Sequence, residues 1–173
     1  MTRVVSNATP LIYLAKIGRI DLLVKVFSEV YVPEEVKLEV VDEGKRLGKV
    51  DAYVVEDAIA NGWIEVSSAE MVEIPIPLEA GEAAVISLAK NMRIGEVLMD
   101  EVSARTAARL MDLTPRGTIF VLLKALELKE ISLNEFMAAL GDLVKQGFRL
   151  KEEVYLEAIT RAREIDGKKG NND

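Results

Sequence analysis

Asn7, Glu82, Asp100 and Glu101 are the side chains of this sequence best placed to do chemistry. A short β-branched run, Arg3 to Ser6, ends at Asn7, and a compact apolar run, Glu96 to Met99, ends at Asp100-Glu101. In open α/β sheets, ligands bind beyond the carboxyl ends of the strands, where strand-end side chains and helix N-termini converge. Glu82 follows Gly81 in the first turn of an expected helix, within reach of the same edge. Clustered carboxylates without histidine match the all-oxygen coordination of Mg²⁺ or Mn²⁺, and without a cation their repulsion is costly. Each also has a plainer reading. Glu82 complements a helix dipole, a strand-end Asp100 serves as a cap or turn residue, and Glu101 is an ordinary first-turn residue.

Composition narrows the chemistry. The 173 residues contain no cysteine and no histidine, which excludes disulfides, thiolate zinc sites, cysteine nucleophiles and histidine-based acid/base catalysis. There is neither a Walker-type phosphate loop nor a GxGxxG run, so nucleotide-binding readings lack support. The net charge of −7 argues against a protein that coats nucleic acid by bulk electrostatics. Residues 51–100 hold 10 acidic and 2 basic groups, so the deficit lies there. Asp51, Glu56, Asp57, Glu65, Glu70 and Glu73 are expected on a solvated surface. No stretch reads as a membrane span or signal peptide, which makes the cytoplasm the expected compartment.

The elements that must position these side chains alternate. Strands are expected at 3–6, 30–32, 63–66 and 96–99, and helices at 11–17, 20–27, 34–47, 51–60, 78–91 and 102–111. Thr9-Pro10 reads as the N-cap and first position of the first helix. Two prolines keep 70–77 out of a central strand, and 114–117 is a turn or very short strand. Three helices follow, at 118–128, 133–146 and 151–164, the second with a capping box at Ser132 and Glu135. Such alternation implies a mostly parallel sheet with helices on both faces. One domain is expected over residues 1–166, with 167–173 as a disordered tail.

The run Val4 to Ile12, continuing through Leu14 to Gly18, resembles the first motif of PIN-domain proteins, particularly toxins of the VapC type. Gly81 to Ala89 is similar to the second motif, whose glutamate is a metal ligand. Leu98 to Glu101, with Ala104, Arg105 and Ala107, resembles the third, whose strand-end aspartate is a ligand. Gly117-Thr118 resembles the fourth, in which a Thr, Ser or Asp supports the site. The likeness covers residues 3 to about 130. It implies a PIN-like three-layer α/β/α fold with a mostly parallel central sheet and extra C-terminal helices.

The resemblance further implies a Mg²⁺- or Mn²⁺-dependent endoribonuclease acting on single-stranded RNA. Glu82, Asp100 and Asn7 would hold the metal, with Glu101 beside them and Thr118 in support. A toxin role adds an antitoxin partner and a homodimer. One departure stands out: the family's first acidic residue is an aspartate, and this chain has Asn7. An amide oxygen coordinates a cation but brings no charge, so a catalytically impaired RNA- or protein-binding module is the alternative. Arg105, Arg116, Lys16 and Arg3, with Arg19 and Arg109, are candidates to hold phosphates. For each of these, a surface or helix-pairing role is the plainer reading, except for Arg105, one turn beyond Glu101.

Overall fold

The computed structural model describes residues 2–171. Five strands form one sheet: β1 (Arg3–Ser6), β2 (Glu29–Pro33), β3 (Glu65–Ser67), β4 (Glu96–Leu98) and β5 (Thr114–Arg116). Their order is β3-β2-β1-β4-β5, and every pairing is parallel. The expected three-layer α/β/α architecture is therefore present, and the short segment at 114–116 is a strand. Parallel strands need crossover connections, and the helices that supply them cover both faces. That is why Val4, Val5, Val97 and Leu98 are wholly buried.

α1 (Ala8–Lys16) and α2 (Leu22–Val26) connect β1 to β2. The N-cap of α1 is Asn7 rather than Thr9, and Pro10 sits inside the first turn, where its missing N–H costs nothing. After β2 the chain is helical from 34 to 46, as α3 (Glu34–Lys37), a π-helical turn (Leu38–Glu43) and α4 (Gly44–Arg46). The wider turn lets both Val40 and Val41 join Val36 in the core while Leu38 and Glu39 face outward. α5 (Val50–Ala60) leads to β3, and Asp51 in its first turn is buried rather than solvated.

α6 (Ala80–Met92) precedes β4, α7 (Val102–Leu110) lies between β4 and β5, and α8 (Thr118–Glu127) follows β5. α9 (Leu133–Lys145) opens on the expected capping box: Ser132 Oγ accepts from Glu135 N, and Glu135 accepts from Ser132 N at 2.7 Å. α10 (Glu152–Gly170) packs on α8 and α9 through Ala158 and Ala162, one turn apart and both buried. Residues 167–170, part of the expected tail, continue this helix, while Asn172 and Asp173 lie outside the described residues. Among the described residues no helix is long and apolar enough to cross a membrane.

The alanine seam fixes how closely α10 approaches α8. Ala162→Leu forces three extra carbons into this contact, and overpacking of this kind costs about 1–3 kcal/mol. A melting temperature several degrees lower by calorimetry is the expected result.

Candidate active site

The strand order reverses at β1, whose neighbours are β2 on one side and β4 on the other. A crevice therefore opens at the carboxyl ends of β1 and β4. Asn7 N donates to Leu98 O at 2.8 Å, extending the β1–β4 ladder by one bond and fixing Asn7 at this edge. Its side chain makes no capping bond to α1. Asn7 is nonetheless only 5% exposed. Its amide oxygen faces a cavity of about 660 Å³.

Four carboxylates line that cavity, Glu39, Glu79, Glu82 and Glu101, together with Asn7, Gly81 and Ser103, and no basic residue does. A Cβ built on Gly81 would lie 3.4 Å from Glu39 Oε2 and 3.8 Å from Asn7 Oδ1, so both oxygens converge on the start of α6. Glu82, buried in the first turn of α6, accepts a hydrogen bond from Glu79 N at 3.2 Å. Glu82 thus caps a helix and lines the acidic cavity.

The electrostatics are those of crowded acids. Burial, assisted by the charges of Glu79 and Glu101, pushes the Glu82 carboxyl above its usual range, against the bond from Glu79 N. Burial does the same at Glu39, with Glu79 and Glu82 adding to it and Lys49 opposing.

Glu39 and Glu79 went unnoticed in the sequence. Glu39 lies on the outward side of a helical run, and its only signal was a carboxylate shortly after a strand on the same sheet edge. The π-helical turn sets its direction, and no spacing rule revealed that turn.

Asp100 stands on the far wall. Its Oδ1 accepts from Thr118 N at 2.8 Å and its Oδ2 from Thr118 Oγ1 at 2.7 Å, so it caps α8 and ties the end of β4 to the start of α8. Burial raises its pKa and outweighs the two Thr118 bonds and the Arg105 charge that lower it. A Cβ on Gly117 would sit 2.8 Å from Asp100 Oδ1 and 3.2 Å from Arg105 Nη1, so glycine is what permits this packing. Residues 100–105 divide between two cavities. Glu101 and Ser103 face the acidic one, while Asp100, Val102 and Arg105 face a neighbouring groove.

The structure therefore gathers Asn7, Glu82 and Glu101 in one cavity and sets Asp100 and Thr118 in the adjoining wall. Arg105 donates to Met99 O at 3.2 Å beside them. Arg116 pairs with Glu96 at 3.3 Å and lies over the Phe120 ring. Two of the candidate phosphate contacts lie away from this edge. Arg3 begins β1 and so stands at the opposite sheet edge. Lys16 ends α1, about 12 Å along the helix from the site at 1.5 Å per residue, and rests on the Tyr13 ring. Arg19 is also engaged elsewhere, bonded to Asp21.

Among the described residues, no three carboxylates stand close enough together to form a ready metal cluster. The donors still suit a hard divalent cation, being all oxygen and crowded in charge, with no basic residue in the cavity lining. Glu39, Glu82 and Asn7 are the groups that would hold one.

An all-parallel α/β/α domain with an acidic cavity at its switch point defines the class: an α/β domain whose site consists of clustered oxygen donors. A family model described as a PIN domain matches residues 3–164, and the chain belongs to the PIN-domain family. PIN domains are generally nucleases. Comparisons with curated proteins and with solved structures give no significant match.

Crowding predicts a pH signature. Glu39, Glu82 and Asp100 have folded pKa values above their ordinary ones, so the native state binds more protons between the two values and stability rises as pH falls through that window. Asp21, lowered despite its burial by bonds from Arg19 and Lys25, loses its contribution only below the ordinary range. In metal-free buffer the melting temperature should thus climb as pH drops from neutral toward the ordinary carboxylate range. The Glu39→Gln/Glu82→Gln variant keeps a capping side chain. It should melt a few degrees higher at neutral pH, with a flatter pH dependence and no stabilisation by Mn²⁺. Differential scanning calorimetry across pH, with and without Mn²⁺, measures all three effects.

Proposed function

We propose that the protein is a divalent-metal-dependent endoribonuclease that hydrolyses phosphodiester bonds in single-stranded RNA. The observation that carries this reading is the base-free cavity lined by Glu39, Glu79, Glu82 and Glu101 at the β1–β4 switch point of a PIN-family chain. A bound Mg²⁺ or Mn²⁺ supplies charge neutralisation and Lewis acidity for phosphodiester hydrolysis. Glu39, Glu82 and Asn7 would hold it from the π-helical turn, the start of α6 and the end of β1. Asp100, locked by Thr118, ties the end of β4 to the start of α8 beside the cavity and aligns the start of α7, from which Glu101 projects. The resemblance to VapC-type toxins extends the reading to a cytoplasmic, homodimeric toxin with a protein antitoxin.

A second reading rests on Asn7. With a neutral oxygen where an acid would add charge, the same chain would serve as an RNA- or protein-binding module without turnover.

One substitution separates the two. Asn7→Asp adds a charge at near-constant shape and should tighten Mn²⁺ binding by about 1–3 kcal/mol, the size of a charge-assisted contact. Calorimetric titration with Mn²⁺ and cleavage of a labelled single-stranded RNA are run on both proteins. Under the nuclease reading the native chain already cleaves, the variant does so at lower metal concentration, and Glu82→Gln is silent. Under the module reading the native chain is silent. Growth arrest on expression of the native chain, absent with Glu82→Gln, is the outcome a toxin requires.

A further inference from the structure

Beside the acidic cavity runs a second depression of about 590 Å³, walled by β5, α8, the 148–151 loop and α10. Its charge is opposite to that of the chain as a whole. Arg105, Arg116, Lys124, Arg149, Lys151 and Arg161 line it against Asp100, Glu127 and Glu157. Most of those acids are already engaged. Asp100 is taken up by Thr118, and Glu127 pairs with Lys124 at 3.3 Å. Arg116 spends one nitrogen on Glu96, while its Nε is buried with no hydrogen-bond partner among the described residues. Arg105, Arg149, Lys151 and Arg161 make no ion pair among the described residues. Asp100 partly balances Arg105, which leaves Glu157 against Arg149, Lys151 and Arg161 in a chain whose net charge is −7.

The floor is apolar and partly aromatic. Phe120 lies under the Arg116 guanidinium at 4.5 Å from its ring centre, and Phe148 lines the opposite side, its ring meeting Tyr13 edge-on. Unpaired cations along a groove with aromatic faces bind a flexible polyanion whose units carry flat rings. The groove also joins the acidic cavity directly, since residues 100–105 form the wall between them. An acidic protein segment would satisfy the cations, but it would leave the ring faces and this continuity without a role.

We propose that this groove is the track for single-stranded RNA, with phosphates on Arg105, Arg149, Lys151 and Arg161 and bases against Phe120 and Phe148, delivering the strand to the acidic cavity. The proposal takes its substrate class from the nuclease reading. Most of the phosphate contacts come from the 148–151 loop and α10, so the C-terminal helix is part of the substrate site.

Binding is measured without catalysis. The full chain in EDTA is titrated into a fluorescein-labelled oligouridylate of about 12 nucleotides, by fluorescence anisotropy between about 50 and 200 mM salt. The Arg149→Ala/Lys151→Ala/Arg161→Ala variant changes exposed side chains only and should keep the native melting temperature. Its affinity should fall at least about tenfold, and the slope of log K against log salt should shrink by about 2, since each phosphate contact on single strands contributes roughly 0.7. An Arg3→Ala/Lys16→Ala variant, altered at the opposite edge, should bind like the native chain.

Unchanged affinity and slope in the triple variant would overturn the proposal, as would equal losses in both variants, no binding by the native chain, or displacement of the RNA by polyglutamate at equal charge. Cleavage with Mn²⁺ is scored separately. Groove-dependent binding without cleavage removes the nuclease reading and leaves the track standing. Cleavage with an unaltered KM in the triple variant removes the track and leaves the nuclease.

Discussion

The position of β1 between β2 and β4 is the constraint from which the site follows. Because all pairings are parallel, every strand presents its carboxyl end at one edge, and because the order reverses at β1, the flanking crossover helices diverge there. The bond from Asn7 N to Leu98 O continues the ladder past the last paired residues and holds the divergence open at a fixed width. α1, α6 and α7 all begin at that edge, and the polar residues at their starts share one cavity. Burial of Val4, Val5, Val97 and Leu98 stabilises the arrangement. Full burial of a side chain of this kind contributes about 1.5–3 kcal/mol, far more than an exposed ion pair at about 0–1 kcal/mol. The core therefore holds the carboxylates near one another against their repulsion.

Asp100 shows how that repulsion is contained. Burial pushes its carboxyl above the ordinary range, and two short bonds from Thr118 with the nearby Arg105 work against this without fully offsetting it. Breaking one partner of such a buried arrangement exposes the full desolvation penalty of the other. The pair accordingly acts as a fixed post between an acidic cavity and a basic groove. On one side oxygen donors are crowded and unneutralised; on the other, burial and the charges of Arg109 and Arg116 push the Arg105 guanidinium below its ordinary pKa. Opposite fields separated by one helix start suit a polyanion whose scissile phosphate must meet acids while its flanking phosphates meet cations.

Much of this was legible in the sequence. Alternating β-branched and amphipathic runs determined the layers and the parallel sheet, because a 2-residue period and a 3.6-residue period bury apolar faces in different ways. Strand-end polarity picked out Asn7, Asp100 and Glu101, and the position after Gly81 picked out Glu82. The motif spacing carried the family.

Only the tertiary structure decided which of these meet. Glu39 enters the site because a π-helical turn rotates it there, a local choice made by packing Val40 and Val41 together rather than by propensity. Asp100 turned to Thr118 because a buried carboxylate takes the nearest unpaired donors, and those come from a helix 18 residues later in the chain. Arg3 and Lys16 stand away from the site for a geometric reason: in a parallel sheet, the first residue of a strand and the last residue of the following helix both lie at the edge opposite the strands' carboxyl ends. The cations beside the site come from α10 and the loop before it, whose place against α8 is set by the buried alanines Ala158 and Ala162. Sequence periodicity fixes which face of a helix is buried, but the partner of that face is chosen by the summed packing of the whole chain.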